Sequence, residues 1–346
     1  MLARDLPRRP VARGLLLSPL GVGTGTSRWS SDTRPDDARL LDGLRCAVES
    51  GVELIDTADS HFNGHAERLV GKVLREYPGH DVQVASTVGR VLGSAPHPYA
   101  GPRVRHQLEQ TLENLYLAEI AVYTLESYDF GIADRYLDPV VEQMRAFRDL
   151  GQIRAIGLRG PDGRSSARCV RRFLELFEQI RPDVVWTQAS GLLPLADVGG
   201  GESLGAFTAR HGVGLMIASP LANGVLAGCR PRAESARAEL ARGLAVLADR
   251  FGSSVDALVR IALRFVLQQA QNAVVTVGVG GRVEVSRCFE CLGPSLCATD
   301  LSVIEEVFER IRRVMSPCDS SVVADGVTGR DGGGEVASQL GVPLRR

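Results

Sequence analysis

Short apolar runs of five or six residues recur along the chain, at 20–24, 52–56, 82–87, 120–125, 153–157, 184–188, 213–218 and 273–278. Short, continuous runs of this kind read as strands buried on both faces. Between them, apolar residues fall at helical spacing: Leu40, Leu41, Leu44, Ala47 and Val48 run up to Gly51, and Val140, Val141, Met144, Phe147 and Leu150 run up to Gly151. Ser253 and Asp256 make a capping-box-like pair ahead of Leu258, Ile261, Ala262, Phe265 and Val266. Strand followed by helix, eight times over, predicts an α/β protein built as a single (β/α)8 TIM barrel. An open doubly wound sheet would need a glycine-rich phosphate turn after its first strand. Gly21, Gly23 and Gly25 lie near that place, but GVGTGTS lacks the last spaced glycine and no helix pattern follows directly. The barrel is read over 15–316, with 1–14 as an N-terminal extension and 317–346, rich in Gly and Asp, as a flexible C-terminal tail.

Composition narrows the function classes. The 346 residues are 44% hydrophobic and 23% charged with a formal net charge of -1, and the arginines are scattered. That distribution offers no footprint for nucleic acid or an anionic membrane, so a small-molecule substrate is the expected partner. No apolar run approaches the ~20 residues of a membrane span, and the first residues lack the apolar core of a secretory signal, so a cytoplasmic location is expected. No feature sets an oligomeric state. The seven cysteines are odd in number and irregularly spaced, which fits reduced thiols. Cys288, Cys291 and Cys297 have no fourth ligand nearby, so no metal is expected. Of the 40 lysines and arginines only Lys72 is a lysine.

Chemistry in such barrels sits at the C-terminal ends of the strands. Those positions hold Thr24, Asp56, Thr87, Glu126, Arg159, Gln188, Ser219 and Gly278. Around the second strand, GVELIDTADSHFNGHAERLVGKVL resembles the signature of the aldo-keto reductase superfamily. GQIRAIGL, SPLANGVLAG and GSSVDALVRIALRFVLQQ with VVTVG are similar to its later blocks, in the right order. The resemblance covers roughly 15–312 and implies that family's barrel. It also implies a catalytic set of an Asp and a Lys that tune a Tyr proton donor, and a His that orients the substrate carbonyl. Asp56 keeps its place, while His61 stands for the Tyr, Thr87 for the Lys and Glu126 for the His. The expected catalytic residues are therefore Asp56, His61, Glu126 and Thr87.

The resemblance further implies NADP(H), held by Gln188, by the turn of Ser219, Pro220, Leu221 and Gly224, and at Arg159, where the family has a Ser followed by an Asn. Gly160 replaces that Asn, Ala218 replaces the ring on which nicotinamide stacks, and Glu284 and Cys288 replace adenosine contacts. A carboxylate at 284 would repel a 2'-phosphate.

Carbonyl reduction needs a proton donor with a pKa near the working pH. An imidazole titrates at about 6.5 unaided, so His61 could replace the phenol without a lysine, with Asp56 and Glu126 raising its pKa. Glu126 could instead pair with Arg159 as a structural ion pair. The resemblance implies reduction of a carbonyl, or of a C=C bond conjugated to one, since members with Glu at the His position do the latter. A His between two acids would also serve a non-redox dehydratase, isomerase or cyclase of specialised metabolism. A non-catalytic binding or regulatory barrel is the third reading.

Overall fold

The computed structural model describes residues 7–12, 14–25, 36–91, 93–229 and 234–314, the side chains of 234–236 excepted. The tail read at 317–346 lies outside the described residues. The segment read as an N-terminal extension contains a strand, β1 (Arg9–Ala12), which pairs antiparallel with β2 (Leu15–Leu17). Eight parallel strands then close into a barrel: β3 (Leu20–Gly23), β4 (Leu54–Asp56), β5 (Gln83–Val88), β6 (Ile120–Leu125), β7 (Ile153–Arg159), β8 (Val184–Gln188), β9 (Gly214–Ala218) and β10 (Ala273–Gly278), the last pairing back onto β3. Helices α1 (Asp37–Glu49), α2 (His65–Glu76), α3 (Gly101–Leu115), α4 (Leu137–Asp149), α5 (Ala167–Ile180) and α6 (Leu204–Arg210) follow β3 to β8 in turn. β9 leads into α7 (Glu234–Phe251) and α8 (Val255–Gln269), and β10 into α9 (Arg282–Glu290) and α10 (Ala298–Val314).

Local chemistry sets the helix ends. Asp36 caps α1 by accepting from the Arg39 amide at 3.2 Å, the stripe Leu40, Leu41, Leu44, Ala47 and Val48 is buried, and Gly51 turns the chain away with φ 78°. At α8 the cap is Ser254, one residue later than the pattern suggested; its Oγ accepts from the Ala257 amide at 3.1 Å. Asp256 does not close a box there because its carboxylate pairs with Arg287 at 2.5 Å.

Period-two alternation decides what enters the barrel. Leu54, Ala85, Val122, Ala155, Val184, Met216 and Val274 pack with Val11, Leu15 and Leu17 of the hairpin in one apolar cluster. The hairpin thus plugs the N-terminal end of the barrel. Its Arg9 guanidinium donates to the carbonyls of Leu267, Ala270 and Ala273 at 2.8, 3.0 and 2.8 Å, tying it to the end of α8 and the start of β10. Counting two or four residues on from the same layer places Asp56, Thr87, Glu126, Arg159, Trp186, Gln188 and Ala218 on the inward face at the opposite, C-terminal rim. Among the described residues no helix is long and apolar enough to cross a membrane.

Candidate active site

The rim brings together the four expected catalytic residues and Arg159, and adds two groups that the sequence reading left out: Trp186 and Arg90. Asp56 ends β4 and is buried. Its Oδ2 accepts the indole N–H of Trp186 at 2.8 Å, from β8, four strands round the barrel. Trp186 packs against the apolar interior cluster, so its ring forms the floor of the mouth. Burial pushes the Asp56 carboxyl up to about 7. The Glu126 charge adds to that rise, and the Trp186 hydrogen bond opposes it.

His61 lies in the loop between β4 and α2, half-buried, with its ring turned inward. Nδ1 is 3.0 Å from Thr24 Oγ1, and the Thr24 hydroxyl donates to Thr57 Oγ1 at 2.9 Å. With the Thr24 proton committed to Thr57, a neutral ring donates from Nδ1. The expectation that neighbouring acids raise the imidazole pKa is overturned. Burial lowers it to about 4; the Glu126 charge opposes this, the Arg90 charge reinforces it, and desolvation wins. His61 is therefore a neutral imidazole at neutral pH.

Glu126, just past β6, is the hub of the rim. Its Oε2 accepts from the Thr87 hydroxyl at 3.0 Å, and its Oε1 lies 2.7 Å from Arg90 Nε and 3.6 Å from Arg159 Nη1. The ion pair weighed between Glu126 and Arg159 is present, but the shorter contact is to Arg90. A cation does therefore stand where the sequence offered no lysine. Arg90 reaches the rim because the turn after β5 passes through Gly89 at φ 114°, where a Cβ would lie 2.2 Å from the Tyr99 hydroxyl. Tyr99 in turn clasps the next loop, its oxygen accepting from the Ser127 amide at 2.8 Å. The tight TVGR turn was the available signal, and it carries no marker of where the arginine side chain goes.

Asp59, three residues after Asp56, is another acid that the sequence reading passed over. It is 2% exposed, and among the described residues neither carboxylate oxygen has a hydrogen-bond partner of ordinary geometry. Burial, with the charges of Glu67 and Glu126, pushes it up to about 7, and the Ser60 amide and Arg103 charge do not offset this.

At the positions where a nicotinamide cofactor is expected, the structure keeps some groups and alters others. Gln188 ends β8 half-buried. Ser219 (φ 61°), Ala222 (φ 50°), Asn223 (φ 53°) and Gly224 (φ 89°) fold 219–224 into a tight left-handed turn that includes Pro220 and Leu221. The Ala222 and Gly224 amides close the turn on the Ser219 and Leu221 carbonyls at 3.0 Å each, so a pyrophosphate would draw on the turn's other amides. Glu284 is paired with Arg39, which compensates the carboxylate expected to repel a 2'-phosphate. The nicotinamide end is changed more: Ala218 offers no ring, and the Trp186 face is covered by Arg159, whose Cζ lies 5.0 Å from the ring centroid. The turn and Gln188 fit the cofactor; the usual stacking platform is missing. Among the described residues no group of three or more His, Cys, Asp or Glu could hold a metal, and Cys288 and Cys291 are buried free thiols.

The sequence model of the aldo/keto reductase family matches residues 19–309. L-galactose dehydrogenase of Arabidopsis thaliana is 23% identical over 316 residues, spanning 88% of this chain and 93% of that protein. Among solved structures, an aldo-keto reductase of Bacillus halodurans superposes with a TM-score of 0.69 at 22% identity, covering 87% of this chain and 96% of its own. An aldo/keto reductase of Klebsiella pneumoniae, solved in complex with NADP and acetate, gives a TM-score of 0.64 at 18% identity, covering 88% and 95%. The chain belongs to the aldo/keto reductase family and is an oxidoreductase of that family.

Proposed function

We propose that the protein is an NADP(H)-linked reductase of a carbonyl, or of a C=C bond conjugated to one, in which Asp56 rather than His61 supplies the proton. The observation that carries this reading is the buried Asp56 carboxyl at the end of β4, pinned by Trp186 and held at about 7. A reduction at neutral pH needs a donor that is substantially protonated there and able to give the proton up. Asp56 meets both conditions. Neutral His61 does not, because a ring that titrates at about 4 has only its weakly acidic N–H to offer.

The remaining residues support this arrangement. Glu126, paired with Arg90 and accepting from Thr87, is a carboxylate whose negative charge helps to keep Asp56 protonated. His61 positions the loop after β4 through Thr24 and Thr57. Gln188 and the turn of Ser219, Pro220, Leu221 and Gly224 would hold the cofactor, whose nicotinamide ring supplies the hydride when bound. The name of the Arabidopsis relative, a dehydrogenase, and the NADP in the Klebsiella structure are consistent with this chemistry.

Titration of the full-length protein with NADPH and NADH, followed by nicotinamide fluorescence, tests the cofactor. A turnover assay with aldehydes, ketones and enones then tests the donor. The expected result is micromolar binding, unchanged within about twofold in Asp56→Asn, with turnover lowered by roughly 10²–10⁴-fold in that variant. No binding of either nucleotide would remove the NADP(H)-linked reading.

A further inference from the structure

Arg159 closes β7 with a side chain 16% exposed, yet its guanidinium makes no hydrogen bond among the described residues. Nη1 is shielded from solvent and makes no hydrogen bond among the described residues; its ion-pair partner, Glu126 Oε1, is 3.6 Å away. That oxygen already faces Arg90 Nε at 2.7 Å, and the other oxygen takes the Thr87 hydroxyl, so two guanidiniums share one carboxylate. Asp162 also acts on Arg159 electrostatically, while its Oδ1 takes the Arg164 amide and the Ser165 hydroxyl. The Arg159 head lies over the Trp186 ring in a cation–π contact, with Cζ 5.0 Å from the centroid.

A buried arginine normally satisfies its donors, because an unpaired, desolvated cation is costly. Here the fork lies over an indole at the floor of the mouth, with no hydrogen-bond acceptor among the described residues and a carboxylate shared with Arg90 as its ion-pair partner. A planar fork of N–H donors matches the two oxygens of a carboxylate, which would also supply the missing charge. We propose that Arg159 anchors a carboxylate carried by the substrate, so that the enzyme acts on an oxo acid or an unsaturated oxo acid. Arg159 stands where the resemblance places a cofactor contact, and the anchor takes that residue over for substrate recognition. The carboxylate class rests on this geometry alone; the word "oxo" rests on the reductase reading above.

The test uses 2-oxo-4-phenylbutyrate and its ethyl ester, titrated calorimetrically into the full-length protein without cofactor. The acid is expected to bind at least ~10-fold more tightly than the ester, the usual weight of a charge-assisted hydrogen bond. Arg159→Met should abolish that preference and Arg159→Lys should retain part of it. Equal affinity for acid and ester in the wild type, no binding of the acid at millimolar concentration, or an unchanged preference in Arg159→Met would overturn the proposal. Inorganic phosphate displacing the acid at lower concentration than the acid itself requires would assign the anchor to a phosphate and overturn the carboxylate class. If Arg159→Met does not fold, the wild-type ratio and the Lys variant decide. NADPH titrated in parallel keeps the two readings apart: its failure to bind removes the reductase, while the acid-to-ester ratio still reports the anchor.

Discussion

Trp186 on β8 donates its indole N–H to Asp56 on β4 across the whole width of the barrel, at 2.8 Å. The contact stabilises the charged form of the carboxylate, so it works against the burial that pushes Asp56 up to about 7. Trp186→Phe keeps an aromatic floor but removes the donor. The Asp56 pKa should then rise further. Because the protonated carboxyl is the proposed donor, the alkaline fall of kcat/KM should begin near pH 7 in the wild type and move to higher pH in Trp186→Phe. A fall at the same pH in both proteins would separate Trp186 from the acid.

Asp59 should make the fold sensitive to pH. Its folded pKa of about 7 lies above the ordinary 3.8, so the stability it contributes is fully present below about pH 4 and is lost as pH rises toward 7. Asp59→Asn cannot ionise. Denaturant unfolding at pH 4 and pH 8 should show the variant gaining on wild type by about 1–4 kcal/mol between the two. A difference independent of pH would mean that Asp59 is ionised without penalty.

His61 should act in the opposite sense. Its folded pKa of about 4 lies below 6.5, so its contribution is present above about 6.5 and is lost as pH falls toward 4. His61→Gln should therefore resist acid unfolding between pH 6 and 4 better than wild type, by about 1–3 kcal/mol. Nitrogen-resolved NMR should find the ring neutral at pH 7, with its proton on Nδ1. A titration midpoint above 6 would contradict the burial argument and reopen the case for His61 as donor.

The hairpin plug depends on a close approach of backbone to backbone. A Cβ at Gly214, the first residue of β9, would lie 1.9 Å from the Val11 carbonyl oxygen. Gly214→Ala should therefore push β1 away from the barrel floor, read as faster proteolysis within 7–17 and a stability loss of about 1–3 kcal/mol. Arg9→Ala, which frees the carbonyls of Leu267, Ala270 and Ala273, should act in the same direction. Unchanged proteolysis in both variants would show that the hairpin is held by its apolar side chains alone.

The eight barrel strands were legible because each is a short apolar run flanked by helical spacing, and Asp56, Thr87, Glu126 and Arg159 were legible because strand ends carry position. Other features escaped for physical reasons. The run 9–17 alternates too briefly to mark a hairpin, and its burial depends on a barrel end that exists only after folding. Trp186 reads as one apolar residue within β8; only closure of the barrel sets its nitrogen against a strand 130 residues away. Arg90 lies beyond the strand end, and the turn through Gly89 that brings it back is a matter of backbone angle. The direction of the His61 shift was misjudged because charges are visible in a sequence, whereas the depth of desolvation is not.

Asp56 as the acid that is protonated at neutral pH can be examined without knowing the substrate. Carbon-13 carboxyl NMR of aspartate-labelled protein, with the resonance assigned by its absence in Asp56→Asn, should show a titration midpoint near 7 for this residue. A midpoint near 4 would mean an ionised carboxylate throughout the working range, and Asp56 could not be the proton donor.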